Sequence, residues 1–358
     1  MSHLNLNLTR QAWQQFRRNW RIPATPSLLW QTYVPGSLFS TLTGLQSAMT
    51  AQQLASADTN NTVVILGYWR SGTTLLHELL CLDPRYSYPT THACMNPHHF
   101  LLTEETALAK SDQAVQRPMD EMEVRPSSPQ EDEFALLSLG ARSPYEALLM
   151  PSVLREALKL SDPADLPEQD RGKWDEAFMS FLKGVAVRGA GRPVVLKSPT
   201  HGFRVGTLRR LLPDAKFILI VRSPMSNFES VVRMWKRMFE IYCAIGAIPS
   251  DDEIREAVLE DRPRFEQKLE SGSAGLADDR FTTLTYEALA ADPYGEVARL
   301  YERMNLGDFG SVSARLKEET EKRKDYRALG KLPSPEWQDR IRSASSDVFR
   351  RYGYPLNL

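Results

Sequence analysis

The chain has 358 residues and a net charge of −1, with 44 Lys and Arg residues against 45 Asp and Glu residues. This balance excludes a protein that binds nucleic acid through its overall charge. Charged residues make up 25% and hydrophobic residues 42% of the chain, which is typical of a globular protein of one large domain or two intimate ones. Its three cysteines, Cys81, Cys94 and Cys243, form no CxxC motif, which favours reduced thiols over disulfides or a zinc site.

The first 60 residues are predicted to be helical. They contain neither the apolar core nor the cleavage site of a signal peptide, so we expect a cytoplasmic protein. Residues 26–45 are the most apolar early segment, but Gln31, Pro35 and Gly36 interrupt it, so it is a poor candidate for a membrane span. The pattern favours a pair of short helices packed on the core. Alternatives are one wall of an acceptor pocket or a face in peripheral contact with lipid.

Residues 62–80 predict a strand, a glycine loop and a helix in direct succession. Apolar and β-branched residues fill 62–68, and Gly67 and Gly72 bound the loop. Leucines then follow at a helical spacing at positions 75, 76, 79 and 80. In this arrangement, loop amides and the helix N-terminus point at one spot and favour an anion there. The segment therefore predicts a phosphate cradle.

The loop lacks the features of a nucleotide triphosphatase. Such a loop places a lysine directly after its second glycine, but Thr73 occupies that position here. The one cation within the loop is Arg70. The loop can hold one phosphate but has no lysine for a triphosphate. The alternative interpretation is a glycine turn with a capping Ser or Thr.

Further strands and helices alternate along the chain. Strands are predicted at 86–91, 193–197, 216–221 and 281–286, and helices at 205–212, 225–242, 294–304 and 335–352. This alternation predicts a parallel sheet with helices on both faces. Residues 96–189 look helical and are interpreted as an insertion that caps the sheet.

Three motifs resemble those of sulfotransferases that use 3′-phosphoadenosine-5′-phosphosulfate (PAPS). Residues 70–74, RSGTT, resemble the phosphosulfate loop of that family. In VRSPMSNFES, Arg222 precedes Ser230 by eight residues, which resembles the Arg and Ser motif that binds the 3′-phosphate of PAPS in that family. Lys197 ends a predicted strand 25 residues before Arg222, where many members place a catalytic lysine. The resemblance covers roughly 62–100 and 192–305.

The resemblance implies an α/β fold with a P-loop-like parallel sheet flanked by helices. It implies one domain over residues 1–358, with a helical N-terminal segment at 1–60, a helical cap at about 100–190, and a C-terminal lid and helix at 310–358. It also implies transfer of a sulfonate from PAPS to a small-molecule hydroxyl or amine by in-line displacement, with adenosine 3′,5′-bisphosphate (PAP) as product and no metal. The 5′-phosphate side of the nucleotide would be held by Arg70, Ser71, Gly72, Thr73 and Thr74. The 3′-phosphate would be held by Arg222 and Ser230.

Lys197, with Arg70, would stabilise the charge that develops in transfer. The base that takes the acceptor proton has several candidates. His92 follows Arg70 by 22 residues, close to the offset of a catalytic Glu in two branches of the family. His201 lies four residues after Lys197, two further than the base of cytosolic members. Glu131 or Glu133 in the acidic run is a third possibility.

Two features leave their roles open. The pair His98-His99 suggests a metal site, but adjacent histidines do not usually share one ligand sphere, so no metal is predicted. In the tail, Lys324 and Tyr326, with the Gly330-Lys331 pair, are candidates to close on the nucleotide, and a solvated charged face is the alternative.

The expected partner is a small-molecule acceptor, with a lipid-like or polyketide-like hydroxyl favoured by the apolar N-terminal segment. Peptide and carbohydrate acceptors remain open, as does the oligomeric state. A degenerate P-loop kinase or NTPase, or a non-catalytic nucleotide-binding protein of the same fold, are the alternative functions. The kinase would need a lysine and a magnesium-holding Asp that the sequence does not show.

Overall fold

The structure is a computed structural model that describes residues 6–116, 123–323 and 332–355. Its packing divides the chain into two compact units. One, here called the helical unit, comprises Met1–Thr59, Ser87–Val194 and Arg237–Ile248. The other, here called the sheet unit, comprises Asn60–Tyr86, Val195–Lys236 and Pro249–Leu358. The prediction of a single domain with a cap over the sheet stays a prediction.

The sheet unit is built on four parallel strands. In chain order the described strands are β1 (Val63–Leu66), β2 (Val115–Gln116), β3 (Glu123–Val124), β4 (Val195–Lys197), β5 (Lys216–Val221) and β6 (Phe281–Thr285). Strands β4, β1, β5 and β6 form the parallel sheet in that order, whereas β2 and β3 pair antiparallel in the helical unit. The register aligns Ile65 with both Lys197 and Ile218, so the strand ends that carry candidate site residues lie side by side.

The described helices account for most of the remaining chain. They are α1 (Arg10–Asn19), α2 (Pro26–Ala55), α3 (Thr73–Leu80), α4 (Thr91–Met95), α5 (Phe100–Lys110), α6 (Glu133–Leu139), α7 (Glu146–Leu149), α8 (Leu154–Leu158), α9 (Glu168–Arg188), α10 (Val205–Leu211), α11 (Pro224–Tyr242), α12 (Asp251–Ser273), α13 (Tyr286–Ala291), α14 (Pro293–Arg303), α15 (Gly310–Lys322), α16 (Pro335–Ala344) and α17 (Ser346–Tyr352). Short 3₁₀ turns lie at Pro151–Val153, Lys159–Ser161, Pro163–Asp165 and Pro199–Phe203. No helix among the described residues is both long and apolar enough to cross a bilayer.

Both faces of the parallel sheet are buried, as the apolar strands predict. Val63 and Ile65 point into a core that α3, α14 and α15 complete. Val64 and Phe217 on the opposite face are also buried. Strands covered on both faces read as continuous apolar runs, which is why 216–221 was recognisable as a strand. The predicted α/β fold with a parallel sheet flanked by helices is confirmed.

Two predicted elements are wrong in the N-terminal part of the chain. Residues 26–45 do not form two short helices, because α2 runs unbroken for 30 residues with Pro35 inside it. Thr25 caps its start by accepting from the Leu28 amide at 3.3 Å, and Pro26 takes the first position, where no amide hydrogen is needed. The interior proline removes one backbone hydrogen bond, and the rest of the helix compensates for it.

The predicted strand at 86–91 is also absent. Two isolated bridges, Ser87 with Val194 and Thr90 with Pro129, replace it. Pro89 has no amide hydrogen to donate to a ladder, and the Thr90 hydroxyl instead caps α4 by accepting from the Ala93 amide at 3.0 Å. The tail differs as well, since 335–352 contains two helices, α16 and α17, rather than one.

Candidate active site

The glycine loop between β1 and α3 has the geometry of an anion cradle. Gly72 caps α3 with a left-handed backbone, φ 100°, so the first amides of the helix face the loop. The Ser71 amide donates to the Tyr68 carbonyl at 3.1 Å, which closes the turn. The Ser71 hydroxyl is buried and has no partner within the described protein. A buried hydroxyl left in this state fits a site that receives hydrogen-bonding oxygens from a ligand.

Both loop glycines are required by their surroundings. A Cβ at Gly67 would stand 2.5 Å from the Ser71 hydroxyl and 2.8 Å from the Ile220 carbonyl. A Cβ at Gly72 would stand 2.4 Å from Cδ2 of Tyr286. The loop therefore packs directly on the strand and ring behind it, which leaves its open side for an anion.

Three predicted anion-binding residues converge beside this loop. Nε of Arg70 donates to the Ser230 hydroxyl on α11 at 3.1 Å. Nη1 of Arg222, directly after β5, donates to the Arg70 carbonyl at 3.4 Å. Arg70 holds a left-handed backbone, φ 64°, which is costly for a residue with a side chain and is common where a site over-determines the chain. Arg70 is thus joined in one cationic cluster with Arg222 and Ser230, which lie 152 and 160 positions further along the chain.

Tyr286 is a site residue that the sequence did not reveal. The Arg222 guanidinium lies 4.3 Å from the centre of its ring, a cation–π contact, and the ring also backs Gly72. Tyr286 directly follows β6, and the carboxyl ends of parallel strands are where ligand sites form in open sheets. That position was the signal that could have found it.

Lys197 and His201 lie at the carboxyl end of β4. Lys197 is buried and aligned with Ile65, the residue before Leu66 and Gly67 of the loop. His201 lies in the 3₁₀ turn at Pro199–Phe203 and is completely buried. The structure thus places both residues at the same end of the sheet as the loop.

The loop is anchored to α12 through Tyr68. Its hydroxyl donates to the Asp261 carboxylate and lies 3.3 Å from the Val258 carbonyl. Burial raises the pKa of Asp261 to about 7, although Arg264, 3.1 Å away, acts in the opposite direction. The guanidinium of Arg262 lies 4.8 Å from the Tyr68 ring. These contacts fix the start of the loop.

His92 lies in the helical unit, on the first turn of α4, and the strand predicted at 86–91 just before it is absent. It is half-buried, and burial lowers its pKa below the ordinary value while Glu104 partly opposes this. Nε2 of His92 lies 3.4 Å from the Thr103 hydroxyl, which also lies 2.8 Å from Nδ1 of His99. A lowered pKa keeps the imidazole neutral, the form a general base requires.

The other candidates in the helical unit have structural partners. His98 is buried between the Thr43 hydroxyl, 3.0 Å from its Nδ1, and the Asn7 carbonyl. Burial lowers the pKa of His98 to about 4. Glu133 accepts from the Ser143 hydroxyl at 2.5 Å, and Glu131 accepts from the Tyr145 hydroxyl. In the part of the chain that the structure describes, no group of three or more His, Cys, Asp or Glu residues could hold a metal ion.

The predicted nucleotide contacts of the tail, Lys324 and Tyr326 with the Gly330-Lys331 pair, lie outside the described residues. Thr73 and Thr74 begin α3, and Thr73 is buried. The described site therefore consists of the glycine loop, Arg70, Arg222, Ser230, Tyr286 and the β4 end.

Comparisons with known proteins agree on one family. A model of the "Sulfotransferase family" matches residues 62–309. Omega-hydroxy-beta-dihydromenaquinone-9 sulfotransferases Stf3 of Mycobacterium bovis and of Mycobacterium tuberculosis are each 34% identical over 293 residues, covering 82% of this chain and 75% of the relative.

Solved sulfotransferases have the same fold. STF9 from Mycobacterium avium superposes with a TM-score of 0.70 at 18% identity, covering 97% of both chains. STF1 from Mycobacterium tuberculosis superposes with a TM-score of 0.64 at 17% identity, covering 93% of this chain and 92% of that one.

The fold and the site together define a P-loop-like α/β protein with two arginines and a serine clustered beside the glycine loop, at the carboxyl end of its sheet. The family match spans most of the chain and includes every one of these site residues. The chain belongs to the sulfotransferase family, and the resemblance noted in its motifs is confirmed.

Proposed function

We propose that the protein transfers a sulfonate from PAPS to a hydroxyl of a lipophilic small molecule. The observation that carries this proposal is the convergence of Arg70, Arg222 and Ser230 beside a glycine loop that lacks the triphosphatase lysine. Two guanidinium groups and a hydroxyl suit a ligand with two separate phosphate groups. Membership of the sulfotransferase family favours PAPS as the donor, and the cluster offers the charge and the hydrogen-bond donors that its phosphates need.

The residues divide between the two ends of the donor. The loop amides, the buried Ser71 hydroxyl, and the start of α3 at Thr73 and Thr74 would hold the 5′-phosphate. Arg222 and Ser230 would hold the 3′-phosphate, with Arg222 kept in place by the Tyr286 ring. PAPS supplies the sulfonate and leaves as adenosine 3′,5′-bisphosphate.

Lys197 is proposed to stabilise the transfer itself. An ammonium at the end of β4 offers a compact positive charge to the oxygen that gains charge as the sulfur–oxygen bond of the donor breaks. Its burial gives that charge an environment of lower polarity than water, where it counts for more. Positioning and charge stabilisation account for most of the acceleration in related phosphoryl transfers, and the same physics applies here.

His92 is the proposed base, on its offset from the loop and its half-buried imidazole. It would take the acceptor proton as the new sulfur–oxygen bond forms. His201 remains the rival base, although its complete burial disfavours contact with a bulky acceptor. Glu131 and Glu133 are weaker alternatives, because their carboxylates accept hydrogen bonds from Tyr145 and Ser143.

The proposed acceptor is a lipid-like alcohol. The Stf3 relatives are named for an omega-hydroxy-beta-dihydromenaquinone-9. Because this chain is 34% identical to them, an acceptor of the same class, a lipid-like alcohol, is proposed for it. The apolar N-terminal segment points the same way.

The proposal is tested by following labelled sulfonate from PAPS into hydroxylated prenylquinones and long-chain alcohols. Lys197→Met should lose turnover and still bind adenosine 3′,5′-bisphosphate. Lys216→Met is the matched control, because Lys216 starts β5 at the opposite end of the sheet, where its Nζ donates to the Met304 carbonyl at 2.6 Å. Equal turnover in the two variants would contradict the role of Lys197, and transfer of phosphate from ATP instead of sulfonate would refute the function.

A further inference from the structure

The outer face of α2 carries a row of exposed apolar side chains. Trp30 is 73% exposed, Val34 52%, Leu38 57%, Leu45 49% and Met49 63%. These five residues, here called the α2 stripe, recur at intervals of four and seven positions and so share one helix face about 100° wide. They extend over 19 positions, or about 28 Å of helix. Large apolar side chains exposed singly are common, but a contiguous row marks an interaction surface.

The fully buried residues of α2 are polar or glycine, and the half-buried Phe39 on the same face stacks on His98. Thr32, Gln46 and Thr50 are buried, and Gly36 lies on the same side. Gln46 donates to the Pro97 carbonyl and accepts from the Leu101 amide, both at 2.9 Å. Since this face already packs within the helical unit, the α2 stripe is not a core face turned outward by chance.

The polar groups of α2 are suited to an apolar surrounding. Six Ser and Thr hydroxyls donate to the carbonyl four residues earlier, namely those of Thr32, Ser37, Ser40, Thr41, Thr43 and Thr50. Thr41 lies on the same helix face as the α2 stripe, and its bond to the Ser37 carbonyl at 3.0 Å satisfies its hydroxyl without water. A helix that meets lipid has to satisfy its polar groups internally in this way.

The charged residues in the sequence segment that carries the stripe, 1–57, are all positive. Helix α2 contains no Asp, Glu, Lys or Arg, and residues 1–57 contain four arginines and no acidic residue, in a chain of net charge −1. Arg17 donates to the Tyr33 hydroxyl of α2 at 2.7 Å, and Arg10 lies 5.5 Å from the Tyr33 ring centre. Arg18 and Arg21 are exposed. These contacts place Arg10 and Arg17 against α2, and Arg18 and Arg21 lie close to Arg17 in the sequence.

We propose that the α2 stripe docks on an anionic lipid bilayer surface. A face that is apolar along its centre and cationic beside it matches acyl chains and negative headgroups. A second copy of the chain fits less well, because a symmetric contact through this face would bring the two sets of arginines together. The inference rests on the proposed function only in explaining how a lipophilic acceptor would be met, since the surface itself is independent of the nucleotide site.

The test is co-sedimentation of the full chain with vesicles of phosphatidylcholine alone or mixed equally with phosphatidylglycerol. Val34→Ser with Leu38→Ser should lower partitioning by about tenfold or more, since two apolar side chains leave the lipid contact. Val115→Ser with Leu332→Ser is the matched control, because those residues are 68% and 49% exposed and lie outside α2. The control pair should partition like the unaltered protein.

A second pair of variants tests the charge. Arg18→Gln with Arg21→Gln should weaken binding to the anionic vesicles by about fivefold per arginine and leave the weak binding to phosphatidylcholine unchanged. Arg303→Gln with Lys317→Gln, both exposed in the sheet unit, should change neither.

Several outcomes overturn the proposal. It is refuted if the unaltered protein does not sediment with anionic vesicles, or if the two apolar pairs lose binding equally. It is also refuted if the protein is a dimer in light scattering that the Val34 and Leu38 substitutions convert to a monomer. Titration of each variant with adenosine 3′,5′-bisphosphate separates these failures from failure of the proposed function, because nucleotide binding does not depend on the stripe.

Discussion

Gly72 connects the loop backbone to Arg222, because the Tyr286 ring packs against both Gly72 and the Arg222 guanidinium. Alanine at this position would have to hold φ 100° and place its Cβ 2.4 Å from the Tyr286 ring, about 1 Å inside ordinary contact. Either the loop or the ring has to move. Because Arg222 stacks on that ring, movement at Gly72 is passed to a residue far away in sequence.

The expected magnitude follows from these terms. The left-handed backbone costs an L residue about 1–3 kcal/mol of stability. Displacement of the ring removes a cation–π contact of about 0.5–2 kcal/mol. If Arg222 then loses its charge-assisted hydrogen bonds to the ligand, about 1.5–3 kcal/mol of binding free energy is lost. We therefore expect Gly72→Ala to weaken binding of adenosine 3′,5′-bisphosphate by about 10–150-fold.

Gly275→Ala provides the matched control within the same unit. Gly275 has φ 74°, so alanine there meets a similar backbone strain, but no atom lies within 4 Å of its Cβ. Calorimetric titration of both variants, with thermal unfolding measured in parallel, should show that both lose stability and that only Gly72→Ala loses nucleotide affinity. Unaltered affinity in Gly72→Ala, or an equal loss in Gly275→Ala, would refute the coupling through Tyr286.

Three further predictions concern single residues. Ser230→Ala should weaken bisphosphate binding about fivefold through one lost hydrogen bond, whereas Ser226→Ala on the same helix should not. His92→Gln should lower kcat by about 10²–10⁴ without changing bisphosphate affinity. Because burial lowers the pKa of His92, the activity of the unaltered protein should persist below pH 6.5 and fall only at more acidic pH. A larger loss of kcat in His201→Gln would show that His201 is the base instead. Burial raises the pKa of Asp261 from 3.8 to about 7, so between these pH values the folded state binds a proton that the unfolded state releases. The free energy of unfolding should therefore fall as pH rises from about 4 to about 7. The urea midpoints of Asp261→Asn should not show that fall.

The strand–loop–helix element and the Arg222–Ser230 pair could be predicted because their signals are local. A strand, two glycines and a helix lie within 19 residues, and Arg222 and Ser230 flank one strand–helix junction. Strands buried on both faces also have a distinct composition, so β5 was evident. The structure adds that Arg70 bonds directly to Ser230, a contact across 160 positions that no spacing rule contains.

The remaining features depend on tertiary contacts that one sequence does not reveal. Tyr286 is ordinary in sequence, and its role arises because β6 places it against Gly72 and Arg222. The strand expected at 86–91 fails because Pro89 and the Thr90 cap compete with pairing. The length of α2 could not be predicted because Pro35 and Gly36 indicate a helix end. The hydroxyl–carbonyl hydrogen bonds within the helix are visible only in the structure.

The proposed function requires a metal-independent site for a 3′-phosphorylated adenine nucleotide beside Arg222. Calorimetric titration with adenosine 3′,5′-bisphosphate, ADP and ATP, with and without magnesium, tests it most directly when repeated on Arg222→Ala. We expect preference for the bisphosphate, no effect of magnesium, and a loss of at least tenfold in affinity for the bisphosphate in the variant. Preference for ATP with magnesium, or binding that is indifferent to Arg222, would contradict it.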